Sequence, residues 1–270
     1  MEDGNAAMKR WHLFEVEDLA SLPASLRDAL TDYLQFMLNL SRPYAPILPR
    51  LRHALEQARA CQIIDLCSGG AGPWPTLYPL LRESVPMGVQ LTDKYPNMAA
   101  FRRARADSGG GLCFCTDSVD ARAVPRQLNG FRTLFSSFHH FAPEQARAIL
   151  EDATRQRQGI GVFEATQRSW VAVVVMFFTP LLVLVVTPFI RPFRLSRLLW
   201  TYLIPLVPLL VLFDGIVSCL RTYSLPELQA LVDTLPPPAT PYRWEIGEER
   251  AKGTPLPITY LLGYPEGASA

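Results

Sequence analysis

The residues best suited to chemistry lie where a short apolar run ends in a carboxylate. Two isoleucines precede Asp65, and the small residues Cys-Ser-Gly-Gly-Ala-Gly follow at positions 67–72. An apolar run too short for a helix, ended by a turn, predicts a buried parallel strand. Small residues let the backbone approach a bulky ligand without a Cβ in the way. With a helix predicted from Thr76, the pattern is typical of half of a nucleotide-binding βαβ unit.

Two further apolar runs also end in acids. Val89–Leu91 leads to Asp93, and Leu112–Cys115 leads to Asp117. In dinucleotide-binding folds, an acid about twenty residues after the loop accepts hydrogen bonds from ribose hydroxyls. Three strand-then-acid units in succession therefore predict a ligand site along one edge of a sheet.

These segments resemble the class I S-adenosylmethionine-dependent methyltransferases. That family has a D-x-G-x-G-x-G-like loop after its first strand, a ribose-binding acid after the second and an adenine-binding acid after the third. The resemblance covers roughly residues 60–167 and 224–265, but Cys67 and Ala71 stand where the first and third glycines are usual. It implies S-adenosylmethionine as the cofactor. The residues implied to bind it are Asp65, Cys67, Ser68, Gly69, Gly70, Ala71, Asp93, Lys94, Asp117, Ser118 and Ser136.

Two adjacent histidines follow the fourth predicted strand, which covers residues 131–138. His139 and His140 thus lie at the carboxyl end of a strand, where open α/β sheets bind ligands. Either imidazole is a candidate general base toward an acceptor hydroxyl. The alternative is that these rings hydrogen-bond the loop or wall the pocket, since alignment alone supplies much of the acceleration of methyl transfer to a good nucleophile.

Five strands alternating with helices predict a doubly wound, Rossmann-like α/β domain with a mostly parallel sheet. A fifth strand over 159–165 is followed, after an interruption, by a helix at 225–235 and strands at 242–247 and 258–264. The resemblance implies that this last pair completes a seven-stranded sheet with one antiparallel strand. The predicted α/β domain therefore consists of residues 60–167 and 222–270.

The first 59 residues predict a helical cap. Apolar residues recur at helical spacing over 21–40 and again over 48–58, with a proline-rich bend at 42–49 between them. The cap covers one edge of the sheet or acts as a lid over cofactor and substrate, and the two roles are compatible.

An apolar insert at 168–221 interrupts the α/β pattern. Residues 170–190 carry no charge, and residues 198–220 carry only Asp214. At about 1.5 Å per residue, each run is long enough to cross a hydrocarbon core of about 30 Å. The sequence therefore predicts a hydrophobic helical hairpin, with proline kinks, that either spans a membrane or dips into it and returns. Asp214 then requires a partner or a watery end.

Counting arginines does not orient the hairpin. Three lie in its linker (Arg191, Arg194 and Arg197), and four lie in its flanks. Because S-adenosylmethionine is a cytosolic metabolite, we expect the catalytic domain on the cytoplasmic side of the membrane, the inner membrane if the protein is bacterial.

Composition excludes several classes. With 26 basic and 25 acidic residues the formal net charge is +1, which offers no basic field for nucleic acid. Five scattered cysteines indicate reduced core thiols and not disulfides, and no His or Cys set completes a tetrahedral metal site. The first ten residues have no apolar core of a secretory signal.

The leading hypothesis is a methyltransferase acting at a membrane on a lipophilic small molecule, such as a quinone-like phenol, a lipid or a secondary metabolite. One alternative is a non-catalytic scaffold or cofactor sensor, in which the altered glycine loop binds poorly. Another is a dinucleotide-dependent oxidoreductase, which the loop and the three acids favour less. The sequence does not predict an oligomeric state.

Overall fold

The chain divides into two compact units. The sheet unit comprises Leu38–Ala165 and Leu225–Ala270, and the helical unit comprises Met1–Met37 and Thr166–Ser224. The predicted bounds of the cap, 1–59, do not coincide with this division. The computed structural model describes residues 8–19, 21–85, 87–250 and 256–266. Residues 1–7 and 20 of the predicted cap, and residues 86, 251–255 and 267–270 of the predicted α/β domain, lie outside the described residues.

One seven-stranded sheet forms the centre of the sheet unit. Its strands are β1 (Gln62–Asp65), β2 (Gly88–Leu91), β3 (Leu112–Phe114), β4 (Phe131–Phe135), β5 (Ile160–Glu164), β6 (Tyr242–Glu249) and β7 (Ile258–Pro265). The order is β3-β2-β1-β4-β5-β7-β6. Strands β1 to β5 are parallel, whereas β7 pairs antiparallel with β5 and with β6. This confirms the predicted Rossmann-like, mostly parallel sheet.

Within the described residues, ten α-helices surround the strands or build the helical unit. They are α1 (Ala24–Ser41), α2 (Leu48–Gln57), α3 (Trp74–Arg82), α4 (Met98–Asp107), α5 (Pro143–Arg155), α6 (Trp170–Met176), α7 (Thr179–Val186), α8 (Leu195–Leu198), α9 (Leu206–Arg221) and α10 (Leu225–Asp233). Apolar faces of α2, α3 and α4 pack with the strands into one core that includes Leu51, Trp74 and Phe101. Burial of this apolar surface is the main stabilising contribution.

The apolar insert folds with the N-terminal helix inside the helical unit. Leu26, Leu30 and Tyr33 of α1 share a buried cluster with Val183 of α7 and Val207 of α9. Gly215 of α9 lets α6 approach closely, because a Cβ there would lie 2.8 Å from the Met176 sulfur. The apolar face of α1 is therefore buried against the apolar helices of the insert.

The second apolar segment is sharply bent. Residues 198–220 were expected to form one arm of a hairpin with proline kinks, and the structure bends by 77° between Leu203 and Leu206. A π-helical turn at Leu199–Leu203 precedes the bend, and Pro205 cannot donate the hydrogen bond that would continue the helix. The first segment, Trp170–Phe189, has a mean hydropathy of 2.6 and is the part of the described chain long and apolar enough to cross as one helix.

The single acid of the insert has backbone partners. The Asp214 carboxylate accepts hydrogen bonds from the N–H groups of Val16, at 2.8 Å, and Glu17, at 3.2 Å. Nearby on α9, Arg221 forms a buried ion pair with Glu15, with 3.4 Å between nitrogen and oxygen. The segment over residues 10–18, which we call the N-terminal strap, is thereby bound to α9, and its backbone supplies the partner that Asp214 requires.

Candidate functional site

The glycine-rich loop is held from below by the carboxylate of Asp65. Asp65 is buried at the end of β1, and its two oxygens accept hydrogen bonds from Ser68 Oγ at 2.6 Å and from Thr133 Oγ1 at 2.7 Å. Its backbone oxygen accepts from the Thr92 N–H at 2.8 Å. Asp65 thus joins β1, the loop and the ends of β2 and β4, and it shapes the cofactor loop from underneath.

Burial raises the pKa of Asp65 from its usual 3.8 to about 6, although the hydrogen bonds from Ser68 and Thr133 act in the opposite direction. In this pH window the folded protein binds more protons than the unfolded chain, so stability falls as pH rises from about 4 to about 6. We expect Asp65→Asn to remove that part of the pH dependence, which amounts to about 3 kcal/mol. Urea unfolding of both proteins across this range measures the difference. Parallel pH curves would contradict the assignment.

The loop backbone takes left-handed conformations at four positions. Gly69 and Gly72 have φ values of +50° and +52°, and a Cβ at either would meet nothing within 4 Å. Cys67 and Ala71 have φ values of +55° and +90°, which are strained for residues with a side chain. The sequence had identified these two positions as departures from a glycine pattern, and the backbone conformation there is the one that favours glycine. The open space at Gly69 and Gly72 fits a bulky ligand lying against the loop.

Asp93 lies beside this loop at the end of β2. Its carboxylate accepts hydrogen bonds from the N–H groups of Gly69 and Tyr95, both at 2.8 Å. A carboxylate has about four acceptor positions, so two remain for ligand hydroxyls. Asp93 is the residue to which the resemblance gives the ribose-binding role.

The residues after β3 are exposed. Asp117 has an exposed side chain with no hydrogen-bond or charge partner within the described ranges. Ser118 Oγ donates to the backbone oxygen of Lys94 at 2.7 Å, and the Lys94 ammonium lies 3.8 Å from Asp120. A hydrogen bond from Arg122 is the main cause that lowers the pKa of Asp120 to about 2. Lys94 and Ser118 are therefore engaged with one another and with Asp120, whereas Asp117 presents an unpaired carboxylate.

His139 forms a buried pair with Glu164. Its Nδ1 lies 2.6 Å from Glu164 Oε2, and both side chains are buried. The other Glu164 oxygen accepts the backbone N–H groups of Phe138 at 2.8 Å and His139 at 3.3 Å. Three contacts thus fix the carboxylate and, through it, the imidazole. The ring of His140 lies 4.4 Å from that of His139, centroid to centroid.

Two residues that the sequence did not single out complete this edge. Glu164 ends β5, next to β4, with Phe135 paired to Phe163, so the adjacency of the two strands places Glu164 beside the residues after β4. Tyr44 is fully buried, and its hydroxyl lies 2.5 Å from Ser136 Oγ. Ser136 Oγ also accepts the Ala165 N–H at 3.2 Å, so this side chain fastens Tyr44 to the ends of β4 and β5.

The Cys67 thiol is unsuited to nucleophilic chemistry. Burial raises its pKa far above the usual value, and the nearby carboxylates of Asp93 and Asp65 raise it further. A protonated thiol is a poor nucleophile and a poor metal ligand. We therefore assign Cys67 a structural role in the loop and no catalytic role.

The predicted site residues meet at one edge of the sheet. The loop at 67–72, Asp93, Asp117, Ser136 and His139 all follow the carboxyl ends of parallel strands β1 to β4. In open α/β sheets, ligands bind in the crevice at this edge. The arrangement combines an open glycine-rich loop with a carboxylate-oriented imidazole.

No protein-family model matches the sequence, and no curated protein matches it. Solved structures share its fold. An O-methyltransferase family protein from Burkholderia thailandensis is 17% identical with a TM-score of 0.51, covering 88% of this chain and 59% of that one. An O-methyltransferase from neocarzinostatin biosynthesis, solved with S-adenosylmethionine and 2-hydroxy-5-methyl naphthoic acid, is 16% identical with a TM-score of 0.50. That match covers 90% of this chain and 58% of the other, so this chain spans less than two thirds of the length of these relatives.

Proposed function

We propose that the chain is an S-adenosylmethionine-dependent O-methyltransferase that modifies a hydroxyl group of a lipophilic small molecule at a membrane. The observation that carries the proposal is the position of the His139–Glu164 pair on the sheet edge that also holds the loop and Asp93. A nucleoside cradle and an oriented base on one edge are the two parts that methyl transfer to a hydroxyl requires.

The cofactor fits the residues present. The open space at Gly69 and Gly72 would receive its methionine portion, Asp93 would accept the ribose hydroxyls, and Asp117 would accept the adenine amino group. Asp65 and Ser68 hold the loop in that shape from beneath. When bound, S-adenosylmethionine supplies an electrophilic methyl group on a positively charged sulfur.

His139 is the proposed general base. With Nδ1 donating its proton to Glu164, proton transfer with the acceptor hydroxyl is assigned to Nε2. Nε2 would take the hydroxyl proton while the acceptor oxygen receives the methyl group that S-adenosylmethionine supplies, and the donor would leave as a neutral thioether. The Glu164 carboxylate then stabilises the resulting imidazolium, and Phe138 N–H keeps that carboxylate in place.

The acceptor class is supported by chemistry and by analogy. The relative from neocarzinostatin biosynthesis was solved with a hydroxylated naphthoic acid. For this chain, a hydroxyl acceptor suits the proposed base, since His139 with Glu164 can take a proton from a hydroxyl group. The membrane part of the proposal is supported by the exposed apolar side chains of the helical unit, with the sheet unit on the cytoplasmic side, where the cofactor is made.

Asp93→Ala tests the cofactor site. Removing the carboxylate leaves the Gly69 N–H without its acceptor and takes away the ribose contact, so we expect S-adenosylmethionine affinity to fall by about 1–3 kcal/mol. Isothermal calorimetry on the detergent-solubilised chain measures it. Asp107→Ala, an exposed acid on α4, is the matched control and should bind as the wild type does. Unchanged affinity in Asp93→Ala would remove Asp93 from the site.

A labelled methyl donor tests the reaction. We expect the purified protein to transfer label from S-adenosylmethionine to an organic-soluble component of a membrane extract, as a base-stable methyl ether. The second candidate function, a non-catalytic cofactor sensor, is favoured by the strained Cys67 and Ala71 in the loop. Cofactor binding without transfer to any extract would support the sensor, and preference for nicotinamide nucleotides would contradict both.

A further inference from the structure

The apolar insert has two opposite faces. On one face of Trp170–Phe189, the side chains Trp170, Val174, Phe178, Leu181, Val185 and Phe189 recur every three or four residues, and each is more than half exposed. We name these six residues the apolar stripe. On the other face, Ala172, Val183 and Val186 are buried. A stripe of this kind on a water-soluble surface is rare, and it indicates a docking surface.

The buried face is covered by α1, which also carries acids that pair with arginines of the insert. Leu26, Leu30 and Tyr33 of α1 pack against Val183 and Val186. On the same helix, Asp32 binds Arg197 at 2.5 Å, and Asp28 binds Arg194. The arginine-rich turn of the insert is thus fixed to acids of α1.

This arrangement conflicts with a hairpin surrounded by lipid. A membrane encircling residues 170–189 would also enclose the partly exposed Asp28 and Arg27 of α1, and charges within hydrocarbon cost several kcal/mol each. It would also enclose the irregular strap whose Val16 N–H binds Asp214, although lipid-exposed irregular backbone does not occur in the hydrocarbon region. The returning segment is bent by 77°.

We infer that the helical unit binds a single leaflet of a phospholipid membrane through the apolar stripe, without crossing the bilayer. This deepens the membrane association proposed above and rests on it. Trp170 begins the stripe and Tyr202 is exposed beyond it, and such aromatic side chains favour the interface. Arg191 is exposed next to the end of the stripe, which suits an anionic headgroup.

A second copy of the chain is a poorer occupant. Protein interfaces combine an apolar centre with about one hydrogen bond per 100–200 Å². The stripe offers no charged group from Trp170 to Phe189, and the insert's one acid, Asp214, is bound to the N-terminal strap. Hydrocarbon requires no hydrogen bonds, so a leaflet matches this surface better.

Vesicle flotation tests the partner. The full chain should float with phosphatidylcholine–phosphatidylglycerol vesicles and stay bound in high salt. Phe178→Ser with Leu181→Ser should lower the partition coefficient by about tenfold per side chain. Leu40→Ser with Tyr95→Ser, equally exposed residues of the sheet unit, is the matched control and should float as the wild type does. Failure of the wild type to float, or a dimer that the stripe variant converts to a monomer, would overturn the inference.

Sidedness of position 191 tests the single-leaflet arrangement without any methyl-transfer assay. Arg191→Cys is expressed in bacteria, and a membrane-impermeant maleimide is applied to inverted vesicles and to intact cells. Peptide mass spectrometry separates position 191 from Cys61, which marks the side of the sheet unit. We expect position 191 to be modified together with Cys61, or shielded by lipid from both sides. Modification in intact cells while Cys61 is protected would establish a spanning hairpin and leave the proposed enzyme activity intact.

Discussion

Replacing His139 with alanine is expected to lower turnover by about 10²–10⁴-fold while S-adenosylmethionine affinity stays close to that of the wild type. The imidazole is held by Glu164 at 2.6 Å, so the proton acceptor is already oriented before the acceptor substrate arrives. Without it, the hydroxyl must transfer its proton to water while the methyl group is transferred. The measurement is single-turnover methyl transfer beside calorimetry of the cofactor.

Two variants separate base catalysis from loss of structure. Glu164→Gln retains an acceptor for the Phe138 N–H but removes the charge that stabilises the imidazolium, so we expect kcat to fall and its pH profile to shift. His140→Ala removes the neighbouring ring but leaves the His139–Glu164 pair in place, and it should have the smaller effect. If His139→Ala lowers turnover by less than about tenfold, catalysis rests on alignment and desolvation alone.

The sheet and its ligand-binding edge could be predicted because they depend on local patterns. Short apolar runs ending in Asp65, Asp93 and Asp117 have strand length and buried composition, and parallel strands place their carboxyl ends together. The final antiparallel strand came from the resemblance to a family. Its confirmation shows how much a known topology adds to periodicity.

The partner of His139 required knowledge of strand adjacency. Glu164 is 25 residues from His139 along the chain, and nothing local in the sequence joins them. The order β1-β4-β5 does so, because β4 and β5 end side by side. The role of Tyr44 was even harder to predict from the sequence, because its partner Ser136 is 92 residues away along the chain. The segment that contains Tyr44 has the composition of a proline-rich bend.

The spacing of apolar residues along the sequence also could not show which element packs against the apolar insert. The helical spacing of apolar residues in α1 predicts that Leu26 and Leu30 are buried, but it does not identify the surface that buries them. An insert that is apolar on every side has no polar face, so its sequence does not indicate which side packs against a partner helix. Pro205 and Pro208 indicated that the helix would bend near these positions. A proline predicts the position of a kink but not its angle.

Replacing Asp152 with alanine is expected to destabilise the sheet unit by about 3–5 kcal/mol. Asp152 accepts a hydrogen bond from Arg132 Nη1 at 2.8 Å, and both side chains are almost completely buried. It also accepts the Val124 N–H at 3.2 Å and Gln156 Nε2 at 3.0 Å, and Arg155 forms an ion pair with it. Burial lowers the pKa of Arg132, and Asp152 opposes that shift. The variant leaves a guanidinium inside β4 without its anion.

Urea unfolding followed by near-ultraviolet circular dichroism measures this loss, and two further variants identify its cause. Arg155→Ala removes a partner that is mostly exposed and should cost little, about 0–1 kcal/mol. Arg132→Met with Asp152→Leu removes both charges at once, and because no stranded charge remains, the double variant should be more stable than Asp152→Ala alone. If the double variant is as unstable as the single one, the cost lies in the lost contacts to Val124 and Gln156 and not in the unpaired arginine.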